Sequence, residues 1–204
     1  MNTIVLTLTF AAVTLTVAGG AAPPASRSLR SDEERKPYLE AEKNSTDFKD
    51  DAGGEAAGKS KMPVCSMVEY PAGDGKPAVV AILRYRYDDG ATLRTKIDVA
   101  TKKVLSVEKL TLYPTPLAGE EIAEAIRLAR AKSPAVDKIY KEAANDPVLG
   151  YLVPIVSDSK NPKYGHRLVL LSVSPKAPAD PEALPPRRVT VRVDLTNESV
   201  DNPK

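Results

Sequence analysis

The sequence predicts an α+β protein, an antiparallel meander sheet packed on one main amphipathic helix, and three observations carry that prediction. Apolar and polar residues alternate over Ala81–Tyr87 and again over Leu93–Val99, the period of half-buried strands. Ile122, Ala125, Ile126 and Ala129 then fall at helical spacing, after which the strand pattern returns. Finally, "KIDVATKKV" (Lys96–Val104) is echoed by "RVDLTNESV" (Arg192–Val200), which divides the domain into two related sub-repeats, 78–112 and 118–200.

The chain opens on an uncharged stretch of apolar residues and Thr, Thr3–Ala18, followed by the small residues "AGGAA". That is the pattern of a secretory signal peptide, residues 1–22, with cleavage after Gly20 or Ala21. Removing it leaves no stable membrane span, and the protein is expected to be secreted or periplasmic. A single cysteine, Cys65, excludes an internal disulfide, so stability must come from an apolar core, and 42% hydrophobic residues over 204 positions allow one.

Residues 23–61 mix Pro, Gly, Ala, Ser and both charges, with Leu29, Tyr38, Leu39 and Phe48 as the sizeable apolar residues. Such a segment reads as a disordered tether with a transient helix around Arg35–Lys43. The folded domain is then 62–204.

Parity sets the first hairpin. A three-residue loop, Asp88–Gly90, pairs Tyr85 with Leu93 and Leu83 with Thr95, keeping apolar residues on one face, with Gly90 in the left-handed position. A second turn at Ala100–Lys103 leads into "VLSVEKLTL", and Pro114 and Pro116 end the meander. The main helix spans "GEEIAEAIRLARAKS", acidic at its start and basic at its end, as the helix dipole favours. Ser133 and Pro134 open a second helix running to about Ala144, with Val136, Ile139, Tyr140 and Ala143 inward. "GYLVPIV" is a short strand whose Pro154 marks an edge or a bulge, and "HRLVLLSV" and "RRVTVRVDL" complete the set.

Residues suited to catalysis are sparse. One His and one Cys, His166 and Cys65, fall short of the usual zinc or copper ligand set. Phosphate loops, dinucleotide fingerprints and the Gly-x-Ser-x-Gly elbow are absent, and no cofactor is implied. The balance of 29 Lys and Arg against 27 Asp and Glu, with signs mixed along the chain, argues against nucleic acid as a partner. With Leu83, Tyr85, Leu93 and Ile97 facing the helix, Arg84, Arg86, Arg94 and Lys96 gather on the opposite face, a candidate docking site for a protein or an anionic cell-surface polymer.

The run "PLAGEEIAEAIRLAR" (Pro116–Arg130), followed by strands and "RRVTVRVDL", resembles the small cystatin-like domains at the amino-terminal end of copper amine oxidases. "YRYDDGATLRTKIDVATKKVLSV" also resembles the hairpin of PepSY-type modules. These likenesses imply a helix packed across a meander. They imply no oxidase activity here, since the cofactor-forming Asn-Tyr-Asp/Glu motif is missing and His166 stands alone where the family uses three copper-binding histidines. The chain also contains no Gln, so the inhibitory loop of cystatins is missing. Two functional readings follow: a secreted non-catalytic binding or accessory module, or a regulator or inhibitor of a secreted peptidase or oxidase.

Overall fold

In the computed structural model, residues 25–51, 62–73, 75–142, 146–176 and 187–201 are described. The expected signal peptide, 1–22, lies outside them, as do residues 52–61 of the expected tether. The chain is α+β with antiparallel sheets, as expected, but the described residues form two sheets, each with its own pair of helices.

The first unit begins where a disordered tether was expected. Strand β1 (Arg27–Ser28) precedes helix α1 (Asp32–Asn44) and helix α2 (Thr46–Asp51). Helix α1 starts at a complete capping box: the Ser31 hydroxyl accepts from the Glu34 amide at 3.2 Å, and the Glu34 carboxylate accepts from the Ser31 amide at 3.3 Å. The four apolar residues that looked too few for a core are spent efficiently. Leu29 and Tyr38 are buried against Met67, Val80, Ile82 and Ile97, with Leu39 alongside, and Phe48 is buried against Leu93.

Beneath these helices lies a sheet of order β1-β2-β3-β4-β5, with β2 Val64–Tyr70, β3 Val79–Arg86, β4 Ala91–Asp98 and β5 Val104–Leu110. Its central hairpin departs from the expected register, because Tyr85 faces Thr92 and Arg84 faces Leu93, leaving Tyr87–Gly90 as a four-residue turn. Paired residues share a face. The face under α1 and α2 therefore carries Val80, Ile82, Arg84, Leu93, Thr95 and Ile97, and the outer face carries Leu83, Tyr85, Arg94 and Lys96. Gly90 does take the left-handed position expected of it, at φ +66°.

The second unit repeats the order of the first. Helices α3 (Gly119–Lys132) and α4 (Pro134–Glu142) lead into a sheet of order β6-β7-β8-β9: β6 Val148–Leu152, β7 Leu168–Ser174, β8 Val189–Asp194, β9 Ser199–Asp201. Ala125, Leu128, Ala129, Val136 and Ile139 close its core over Val169, Leu171, Val173, Val191 and Val193. The loop between β7 and β8 includes residues 177–186, which lie outside the described set, as does Ala143.

The correspondence extends to individual hydrogen bonds. In the first unit Val79 faces Asp98 and Ile97 faces Val104; in the second Leu168 faces Asp194 and Val193 faces Val200. The Val99 amide donates to the Ala78 carbonyl at 3.0 Å, and the Leu195 amide donates to the Arg167 carbonyl at 2.9 Å. Lys102 and Glu198, equivalent positions in the two turns, both have positive φ, 56° and 50°. The first sub-repeat is thus wider than 78–112, reaching back to α1, whereas the second, Gly119–Asp201, lies close to the expected 118–200; each includes two helices and four strands of meander.

Candidate functional site

The densest polar chemistry lies where the two units meet. Glu121, in the first turn of α3, is fully buried and accepts from the Ala118 amide at 2.8 Å, half of a capping box whose other half Ala118 cannot supply. Its carboxylate also accepts from Arg167 Nε and Nη2, both at 3.0 Å, and from the Tyr87 hydroxyl at 2.7 Å. Arg167 immediately precedes β7 and is 2% exposed. It donates further to the carbonyls of Thr115 at 2.9 Å and Pro116 at 2.6 Å, and its guanidinium lies 4.4 Å from the Tyr85 ring centroid.

The second unit's repeated turn holds that arginine in place. The Arg167 amide donates to Thr196 Oγ1 at 2.9 Å, and Asp194, which accepts from the Thr196 and Asn197 amides at 3.1 Å each, lies 2.8 Å from His166 Nδ1. Tyr85 closes the joint from the first unit by donating to the Gly165 carbonyl at 2.8 Å, while Thr92 and Thr115 share a buried hydroxyl contact. Gly90 and Gly165 approach so closely that a Cβ on Gly90 would lie 2.8 Å from Gly165 Cα.

Electrostatics in the joint favours a fixed charge state. Burial works against the Glu121 carboxylate, but the Arg167 hydrogen bonds and charge, with the Ala118 amide and the Tyr87 hydroxyl, outweigh it and hold the group below the usual carboxylate range. Cys65, on the β2 bulge, sits 3.8 Å from both Glu121 Oε2 and Arg167 Nη2. Burial pushes its thiol up to about 12, with the Glu121 charge adding to the effect, so it stays protonated and a poor nucleophile. Burial likewise raises Tyr85 to about 12, and burial together with the bond to Glu121 raises Tyr87. Among the described residues no cluster of three His, Cys, Asp or Glu side chains is arranged to hold a metal ion.

The four basic residues expected on one face are divided. Arg84 points under α1, where its Nε and Nη2 reach Glu42 Oε2 at 2.9 and 2.8 Å, its Nη1 donates to the Met62 carbonyl, and Thr95 donates to the other Glu42 oxygen at 2.8 Å. Arg86 is buried at the strand end and donates to Asp89 within its own turn at 2.8 Å; that contact is the leading reason the Asp89 carboxyl lies well below its usual range. Arg94 and Lys96 do share the outer face, where both bind Glu108, whose carboxyl the two cations hold at about 2. Beside them stand half-buried Val68 and Leu83 and exposed Tyr70, and among the described residues no helix covers this end of the sheet.

Sequence reading missed Glu121, Arg167 and Tyr87 as partners. An Arg directly before four apolar residues, Leu168–Leu171, was the available signal, since such a charge is buried only with a partner. Glu42 had an indirect one, the Ser31-x-x-Glu34 pattern that starts its helix.

The fold and the joint define a two-unit α+β protein whose units share one order of helices and strands. No family model and no curated protein matches the chain. Among solved structures it is similar to a copper-containing benzylamine oxidase from Hansenula polymorpha, with a TM-score of 0.46 and 15% identity. The match covers 85% of this chain and 29% of the oxidase chain, so the likeness concerns less than a third of that enzyme. No comparison supports a PepSY-type module. Among the described residues no helix is long and apolar enough to cross a membrane.

Proposed function

We propose that the protein is an exported, non-catalytic binding module whose partner is another protein, engaged by the end of the first sheet's outer face that lies away from the joint. The observation that carries this reading is the composition of that face. Arg94 and Lys96 share the single carboxylate of Glu108, leaving one cationic charge in excess beside Val68, Leu83 and Tyr70. An aromatic, an arginine and aliphatic surface in one patch are the residue types that dominate protein interfaces. Export rests on the leader, 1–22, and the non-catalytic role is supported by the use of Glu121, Arg167 and Tyr87 to join the two units.

A photoreactive side chain in place of Tyr70 in the purified full chain tests the reading. The expected result is crosslinking to a protein from the cell exterior, lost in an Arg94→Ser, Lys96→Ser variant. Unchanged crosslinking in that variant overturns the basic patch. Salt-sensitive retention on heparin that requires Arg94 and Lys96, without any protein crosslink, would assign the face to an anionic polymer instead.

A further inference from the structure

The two sheets expose four edges, and three carry the devices that discourage strand pairing. Strand β1 has two residues, one of them Arg27; β5 bears Glu108 and Lys109; β9 has three residues and ends in Asp201, which is tied to Lys163 and Arg192. Strand β6, "VLGYL", differs: it has five residues, no charge and no proline, and among the described residues it is hydrogen-bonded to β7 alone. All five residues are exposed, Val148 at 54% and Leu152 at 67%, with Leu149 and Tyr151 turned to the opposite face.

The strand is also symmetric about its centre. Antiparallel pairing with an identical strand across a two-fold axis at Gly150 sets Val148 opposite Leu152 and Leu149 opposite Tyr151, so every pair is apolar and no like charges meet. Pro147 and Pro154 bracket the segment and, lacking amide protons, limit a ladder to Val148–Val153. Of the two-fold registers that fit there, the one centred on Gly150 alone uses all five residues of β6 and none beyond it.

We infer that β6 is a homodimerisation edge, at which two copies of this chain join their four-stranded sheets into one continuous sheet about a two-fold axis at Gly150. The axis stands perpendicular to the sheet, so α3 and α4 of both copies lie on the same side. Residues of equivalent parity meet across the seam, and the docking face of the first unit takes no part in it. The dimer therefore stands or falls separately from the protein partner proposed above.

Sedimentation velocity on the full chain tests the inference. Wild type is expected to dimerise reversibly in the micromolar range. Val148→Lys with Leu152→Lys places like charges opposite each other in both symmetric pairs and should weaken the dimer at least tenfold. Val148→Glu with Leu152→Lys places opposite charges in the same two pairs and should restore it. Both sites are exposed, so far-UV circular dichroism should match wild type in each variant. A wild-type monomer at 100 µM overturns the inference, and so does a dimer equally tight in both charge variants.

Discussion

Replacing Arg167 with Met probes the joint between the units most directly. The substitution keeps much of the aliphatic volume but removes two hydrogen bonds to Glu121, both at 3.0 Å, and the donors of the Thr115 and Pro116 carbonyls. Glu121 is fully buried, so it becomes an uncompensated buried charge, a change that costs about 3–5 kcal/mol. The measurement is urea unfolding followed by far-UV circular dichroism and by the emission of the 8 tyrosines, since the chain has no Trp. With an m-value of about 2 kcal/mol per molar, a loss of about 4 kcal/mol lowers the midpoint by about 2 M.

Two further arms separate the charge from simple packing. Adding Glu121→Gln to Arg167→Met keeps an acceptor oxygen for the Ala118 amide, lets the side-chain amide donate to the Tyr87 hydroxyl and removes the charge, and should recover about 2 kcal/mol or more. The pH dependence has a definite sign. The native Glu121 carboxyl is depressed, so its contribution is present above the unfolded value near 4.5 and lost as pH falls through the native value. Without Arg167, burial favours the protonated form, so the deficit of the variant should be largest near pH 7 and shrink toward pH 4. A cost below about 1 kcal/mol at pH 7, or a double variant less stable than Arg167→Met alone, would refute the reasoning.

Two other substitutions follow from the backbone. Gly90→Ala meets both a positive φ and the Gly165 backbone, and should cost about 2 kcal/mol or more by thermal unfolding, whereas a neutral result would mean the hairpin does not touch the second unit. Glu198→Gly relieves the positive φ and should stabilise by about 1 kcal/mol; Lys102→Gly should gain less, because Lys102 also contacts the Tyr38 ring and hydroxyl and the Val99 carbonyl, and an equal gain at both sites would argue against a role for those contacts.

Strand and helix periods were legible because they are local. β3, β4, β7, β8, α3 and α4 all lie where their apolar spacing put them, and the matched turns at Asp98 and Asp194 occupy equivalent places in the two sheets. The hairpin register was misread for a long-range reason. Alternation treats an arginine as outward, but Arg84 turns inward to meet Glu42, 42 residues earlier in the chain. Once Arg84 belongs to the covered face, Leu83 belongs to the open one, and the expected group of four basic residues separates. Helix α1 was taken for part of a tether because its composition is polar and mixed in charge with few sizeable apolar residues, although Tyr38 and Glu42 point at the sheet with helical spacing. The joint was invisible for the same reason as Arg84: Glu121 and Arg167 lie 46 residues apart, and neither is informative without the other.

The separation of Glu121 and Arg167 along the chain also sets an order of events during synthesis. Until residue 167 has left the ribosome, Tyr85 lacks both the Arg167 guanidinium and the Gly165 carbonyl, and helix α3 begins with a carboxylate whose main counter-ion does not yet exist. The first unit can assemble its own core early, as domains folding from the amino terminus do, yet its boundary with the second remains unfinished until the segment before β7 emerges. A chain truncated between β6 and β7 would therefore have both tyrosines in place and no arginine to close over them.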